Sequence, residues 1–452
     1  MATMLETAKI LQQGTADPVR LTRAALAAAE RSEHVFIALL QERARAQAEA
    51  SAARYRQRAP LSRLDGIPYA VKDLIDVAGS RTTAGSITRA DSPIAVDDAP
   101  VIASLTALGM IPIGKTNLTE FAYSGLGLNP HFGTPTADLP LASPRVPGGS
   151  SSGSAIAVQR AIVSVAIGTD TAGSIRIPAA FNGLVGFRAS TGRYRMEGVH
   201  PLATTLDSLG PFARTVADCA VFDAAMRGLD PLLPEAADLR RLRLVVEQDV
   251  LADPQLQPAV RANLLATVER LRQAGARVEP RSLPAIARTR ELIARLGWLG
   301  AIEAWRLLGA IVEGPEGLRL DHRVRARLLA AKGIDSATEG RIRNLRLELM
   351  SAIRRELGGA ILVMPTVKHV APPLAALEGD DALFASVNLE TLSLTMVGSL
   401  LDMPGVAMPS GKDAEGLPTS VLFSMPRGED EALLGACLAV ERALGGPCPN
   451  SR

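Results

Sequence analysis

Along the first sixty residues, apolar positions recur at near-helical spacing. Leu21, Ala25, Ala28, Phe36, Leu39 and Leu40 alternate with arginines and glutamates, which predicts helix through 4–57 with a break at Pro60. From 64 to 78 the apolar runs shorten around Gly66 and Pro68, the pattern of a buried strand and turn. Asp97 or Asp98 is placed to cap a helix ending at Gly109, and Ile111-Pro-Ile-Gly114 reads as a short strand. Between 124 and 192 glycine, serine and proline are dense, and only the apolar passage 155–167 predicts regular structure, a helix leading into a strand. Beyond 215 regular alternation returns, with strands at 242–246, 276–278, 361–365, 404–408 and 417–424. Helices are expected at 257–274, 287–311, 321–357 and 429–444. This βα alternation predicts an α/β fold around a mostly buried sheet. With no internal repeat and no low-complexity linker, 1–452 is expected to form a single domain. Within it, 64–215 carries the chemistry, 215–357 is a largely helical region that could cap a site, and 445–452 is a loose tail.

Composition narrows the function classes. The chain is 47% hydrophobic and 21% charged, enough apolar material for a large core, with only 3% aromatics, so small and aliphatic side chains do most of the packing. A net charge of +2 gives no electrostatic footprint for nucleic acid or anionic lipid. The arginine groups at 240–243, 323–327 and 341–346 have acidic residues nearby and read as solvated helix faces. Three cysteines (Cys219, Cys437, Cys448), odd in number and without C-x-x-C, suggest neither a disulfide framework nor a zinc site; a reducing cytoplasm fits them best. No signal-peptide pattern and no apolar stretch of about 18 residues is present, so neither export nor a membrane association is expected.

The candidate chemistry lies in two glycine-rich runs whose serines, Ser150 and Ser174, stand 24 positions apart: Pro147-Gly-Gly-Ser-Ser-Ser-Gly-Ser-Ala155 and Gly168-Thr-Asp-Thr-Ala-Gly-Ser-Ile-Arg-Ile-Pro178. Neither contains any of the five histidines. A serine nucleophile needs a base, and a lysine serves if burial depresses its pKa. Lys72, in Ile67-Pro-Tyr-Ala-Val-Lys72, has Ala70 and Leu74 as same-face strand neighbours, neither able to stabilise a charge; alternatively its head reaches solvent or pairs with Asp73 or Asp76. Ser174 follows Thr171-Ala-Gly173, a turn able to aim successive backbone N–H groups at an oxyanion; an ordinary helix cap is the other reading. Ser150 either bridges Lys72 and Ser174 or bonds local backbone. Phe121, Tyr123 and Phe132, an unusual share of the aromatics, either line an acyl pocket or pack the core.

Two other motif matches compete. Gly109 to Thr116 fits G-x-x-x-x-G-K-[ST], yet its interior is β-forming and Pro112 has no amide to offer a phosphate, which argues against ATP held through Lys115. Gly149-Ser-Ser151-Ser-Gly153 fits the G-x-S-x-G elbow, with His200, His322 and His369 available as partners, but Gly-Gly after Pro147 is a poor strand.

Together with Lys72, the two serine runs resemble the amidase signature family of serine hydrolases. The first resembles its Gly-Gly-Ser-Ser-Gly-Gly-Ser element and the second its Gly-Thr-Asp-x-Gly-Gly-Ser-Ile-Arg-x-Pro element, at the family's serine spacing. Ala179 to Gly186, the run Pro201 to Pro211, and the segments from Leu64-Asp-Gly-Ile-Pro to Gly416-Leu-Pro extend the likeness, which is weak over 215–357. The resemblance implies a single α/β/α domain with a large central mixed sheet flanked by helices. It implies Lys72 as base, Ser150 as bridging serine and Ser174 as acyl-accepting nucleophile. It further implies Thr171, Ala172, Gly173 and Ser174 as oxyanion donors, with Asp170, Arg176, Ser151 and Gly149 in support. Ser152 and Ala172 stand where many relatives carry glycine. The implied reaction is hydrolysis of a small amide, with no metal or organic cofactor and with a homodimer as a common assembly. A glutamine-hydrolysing A subunit of a tRNA-dependent amidotransferase is the alternative, and a catalytically silent scaffold is a third reading.

Overall fold

Eleven strands form one mixed sheet in the computed structural model, which describes residues 2–139 and 143–446. They are β1 (Phe36–Leu39), β2 (Pro68–Lys72), β3 (Ile111–Thr116), β4 (Ala166–Thr169), β5 (Val185–Arg188), β6 (Leu209–Ala213), β7 (Arg243–Glu247), β8 (Arg277–Arg281), β9 (Ile361–Pro365), β10 (Gly405–Lys412) and β11 (Pro418–Ser424). Their spatial order is β1-β3-β2-β4-β6-β5-β10-β11-β9-β7-β8. The pairs β2–β3, β2–β4, β7–β8 and β7–β9 are parallel; the other neighbours are antiparallel. The expected single α/β/α domain is therefore present, with apolar cores on both faces of the sheet. One face packs Tyr69, Val71, Ile167 and Phe187 against the helices Val216–Met226 and Asp430–Ala443. The other packs Ala70, Ala166 and Phe212 with the helix Ser152–Gln159. Alternating side chains of β2 and β4 thus face opposite layers, as the period of two requires.

The N-terminal region departs from the helical reading of 4–57. Helices Met4–Gln12 and Pro18–Arg31 are separated by a turn, and β1, which pairs antiparallel with β3, stands between the second of them and the helix Gln41–Arg56. Four residues cannot display a period, and Phe36, Leu39 and Leu40 also fit the flanking helical spacing. Asp98 does not cap the helix Pro100–Ala107, whose N-cap is Ala99; its carboxylate instead pairs with Arg43 at 2.6 Å and accepts from the Ala78 amide. Strands β5 and β6, unforeseen in the glycine-rich stretch and after it, bring Gly186 and Gly210 close to neighbouring atoms that a larger side chain would strike. In the 215–357 region, β7 and β8 extend the sheet, while helices Pro284–Leu296, Leu299–Glu313, His322–Ala331 and Ser336–Leu357 follow.

The G-x-x-x-x-G-K-[ST] match is strand β3, and Lys115 Nζ is buried 2.7 Å from Asp73 Oδ1, so no phosphate cradle exists there. Cys219 and Cys437 are buried free thiols; Cys448 and the expected tail beyond 446 lie outside the described residues. No helix among the described residues is long and apolar enough to cross a membrane.

Candidate active site

Lys72 is the last residue of β2, between β3 and β4, and is fully buried. Its Nζ lies 2.8 Å from Ser150 Oγ, 2.9 Å from Ser151 Oγ and 2.8 Å from Thr169 Oγ1. Neither adjacent carboxylate serves it: Asp73 pairs with Lys115, and Asp76 accepts from Thr82 Oγ1 at 2.6 Å. Two buried lysines one strand apart thus meet different surroundings, a carboxylate for Lys115 and only hydroxyls for Lys72. Burial pulls the Lys72 amine down to about 7, against the smaller upward pull of Asp170 and Asp207. A neutral amine has two N–H donors and one lone pair, and hydroxyls can both give and accept, so this ring of three satisfies the uncharged form.

The loop carrying Ser150 enters from Gly149, whose N–H donates to Gly125 O at 2.7 Å; the Gly149–Ser150 peptide is cis. Asn117 anchors the following helix start by accepting from the Gly153 amide at 2.9 Å, and Gly153 has no room for a β-carbon. The Ser151 N–H donates to Ser174 O at 3.4 Å, which joins the two serine runs. No hydrogen bond joins the Ser150 and Ser174 hydroxyls, although the runs that carry them are adjacent in the fold.

Asp170 organises the Ser174 turn. It accepts from the amides of Gly173 (2.8 Å), Ile175 (3.1 Å) and Arg176 (3.3 Å) and from the Arg176 guanidinium at 2.9 and 3.0 Å. Burial pushes this carboxyl up, but Arg176, Arg188 and the turn amides outweigh it and hold it at about 2. Arg176 also donates to Thr395 O and Ser399 Oγ, and Thr395 Oγ1 donates to Ala172 O at 2.6 Å, which ties the turn to the helix Thr395–Leu400. Gly173 is the turn's left-handed residue (φ 137), so the methyl of Ala172 carries no backbone strain. Of the four amides expected to face an oxyanion, that of Gly173 is already engaged by Asp170. Those of Thr171, Ala172 and Ser174 have no hydrogen-bond partner among the described residues. Behind them Thr171 Oγ1 donates to Asp207 Oδ1 at 2.6 Å, and burial raises Asp207 to about 6.

Ser174 opens into a cavity of about 220 Å³ together with Thr171, Ala172, Tyr123, Trp298 and Arg327. Tyr123 is on the wall. Phe121 is not among the lining residues and packs in a core with Leu118 and Leu308, while Phe132, also off the wall, offers its carbonyl to Asn117. The arginine group 323–327 is not a solvated face: Arg323 is buried against Asp321, and Arg327 reaches the cavity. No group of three His, Cys, Asp or Glu side chains able to hold a metal occurs among the described residues.

Several members of this site escaped sequence reasoning. Thr169 and Asp207 stand inside the matched runs 168–178 and 201–211, and their hydroxyl and carboxyl types were the available signal. Thr395, Trp298 and Arg327 come from distant segments with no local motif.

Residues 20–434 match the family model described as Amidase. The 2-amino-5-chloromuconic acid deaminase of Comamonas testosteroni is 34% identical over 392 residues, 85% of this chain and 83% of that protein. The A subunit of the glutamyl-tRNA(Gln) amidotransferase from Roseiflexus sp. (strain RS-1) is 33% identical over 474 residues, 96% and 94% of the two chains. The crystal structure of an amidase superposes with a TM-score of 0.83 at 31% identity, covering 98% of this chain and 99% of that one.

Proposed function

The chain belongs to the amidase family of carbon–nitrogen hydrolases, and from that premise we propose that it hydrolyses a small carboxylic amide through an acyl-enzyme on Ser174. The observation that carries this reading is a fully buried lysine held by three hydroxyls at 2.8–2.9 Å, beside a serine turn with unengaged amides. In the forward step neutral Lys72 takes the proton of Ser150, Ser150 takes that of Ser174, and Ser174 Oγ bonds to the amide carbon. The carbonyl oxygen becomes an oxyanion, received by the amides of Thr171, Ala172 and Ser174. Preorganised donors of this kind are worth ~10²–10³ in rate each. The stored proton then passes to the amide nitrogen, the C–N bond breaks, and ammonia or an amine leaves. Water attacks the ester by the reverse relay, releasing the acid and restoring Ser174. In this reading Lys72 needs closure of the Ser150–Ser174 gap on substrate binding, a tightening common in enzymes. Helices Leu299–Glu313 and His322–Ala331 contribute Gly300, Ala301 and Arg327 to the cavity wall, which supports a capping role for this part of 215–357. The buried free thiols support a reducing compartment, the cytoplasm.

Treatment with a fluorophosphonate followed by peptide mapping tests the reading. Ser174 should carry the adduct and Ser174→Ala should lose both the adduct and ammonia release from an amide panel; labelling elsewhere sinks it. A glutamine-hydrolysing A subunit is the second reading, supported by the amidotransferase relative matched over 94% of its length. Ammonia release from glutamine alone, and only with a second protein present, would favour it.

A further inference from the structure

Arg327 is the only charged side chain among the described residues lining the cavity that holds Ser174. Its guanidinium lies 4.6 Å from the centroid of the Tyr123 ring and donates to Tyr123 O. No carboxylate among the described residues pairs with it. The contrast with its neighbours is sharp: Arg323, one helical turn earlier, is 2.9 Å from Asp321, and the buried Arg176 is 2.9 Å from Asp170. Burial pulls the Arg327 guanidinium below the usual arginine range, against only the smaller upward pull of Tyr123 and with no carboxylate to offset it. A desolvated cation without a counter-charge is costly, and such groups in clefts mark ligand sites. The guanidinium fork has five N–H donors, matches a carboxylate bidentately, and keeps most of them after the bond to Tyr123. The Tyr123 ring face supports the cation without neutralising it.

Resting on the amide-hydrolase reading above, we infer that the substrate is a small amide bearing a second, ionised carboxylate, which Arg327 clamps while the amide carbonyl meets Ser174. The same wall disfavours a zwitterion. Leu389, Leu392 and Met396 add apolar surface to it, and no acidic side chain among the described residues lines it to receive an ammonium group. The class is therefore a half-amide of a dicarboxylic acid rather than a free α-amino acid such as glutamine. At about 220 Å³ the cavity is smaller than the ~300–1,000 Å³ usual for drug-sized ligands, in keeping with a short chain between the two carbonyl carbons.

The test compares ammonia release from succinamate, butyramide and glutamine. Succinamate should exceed butyramide in kcat/KM by about 10- to 150-fold, the range for hydrogen bonds to a charged group, and should exceed glutamine as well. In Arg327→Met the succinamate-to-butyramide ratio should collapse towards one, chiefly through KM for succinamate, while Arg327→Lys retains part of the preference. Succinate should inhibit the wild-type enzyme more strongly than butyrate, a measurement that needs no variant. Equal rates on succinamate and butyramide, glutamine turned over as well as succinamate, or an unchanged ratio in a folded Arg327→Met would overturn the inference. Fluorophosphonate labelling separates the two layers: Ser174 labelled with no anionic preference removes only the carboxylate clamp, whereas an unlabelled Ser174 removes the hydrolase reading beneath it.

Discussion

Replacing Lys72 with methionine keeps the length of the buried stem and removes the amine that the three hydroxyls surround. The consequence can be worked from its titration. A solvated lysine near 10.4 is neutral in roughly one molecule in 2,500 at pH 7, whereas at about 7 roughly half of Lys72 is neutral, an increase on the order of 10³. Since the neutral amine is the proposed base, kcat/KM of the wild type should climb about tenfold per pH unit below 7 and level off above it. Lys72→Met should lose this dependence along with most of the rate. Stability carries an independent signature. Between about 7 and 10.4 the unfolded chain keeps its lysine proton and the folded chain does not, so stability gained from this group rises with pH across that window. It is fully present above 10.4 and lost as pH falls through 7. Urea melts of wild type and Lys72→Met should therefore diverge in favour of the wild type by up to about 1.4 kcal/mol per pH unit over that interval. A rate profile rising only near pH 10, or a stability difference that stays flat from pH 7 to 9.5, would refute the argument from burial.

Two further substitutions probe the turn and its electrostatics. Asp207 pulls the Lys72 amine upward and accepts from Thr171, so Asp207→Asn should move the kcat/KM midpoint to lower pH; a midpoint unmoved or raised in pH–rate profiles would exclude that coupling. At Gly173, with φ 137, an added β-carbon would lie 2.3 Å from Thr395 Oγ1, so Gly173→Ala should abolish fluorophosphonate labelling of Ser174 through displacement of the turn, and normal labelling kinetics would show the turn to be more tolerant than its geometry implies.

Legibility in the sequence followed the range of the forces involved. A strand with a continuous apolar run, such as 361–365, was evident because burial on both faces leaves a local trace. The four-residue β1 left none and borrowed the helical period of its neighbours. Asp98 has the composition of a cap, yet the guanidinium of Arg43, fifty-five positions away, takes it.

The same division runs through the site. Residue type and spacing marked Lys72, Ser150 and Ser174 as candidates with alternatives still open, and the resemblance of their motifs to a known family chose among them, because glycine-rich turns and a lysine in an apolar strand are local chemical facts. Whether Lys72 met a carboxylate or a hydroxyl was open until the sheet placed β4 beside β2 and brought Thr169 to its amine, while β3 delivered Lys115 to Asp73. Backbone direction likewise decided that the Gly173 amide turns to Asp170 and those of Thr171, Ala172 and Ser174 do not. Arg327 looked like one more solvated helix charge; only the packing of its helix against Tyr123 set it on the cavity wall with no carboxylate partner among the described residues. Sequence determines which groups exist and what their neighbours along the chain permit, whereas desolvation and charge pairing depend on through-space distances that the folded chain alone sets.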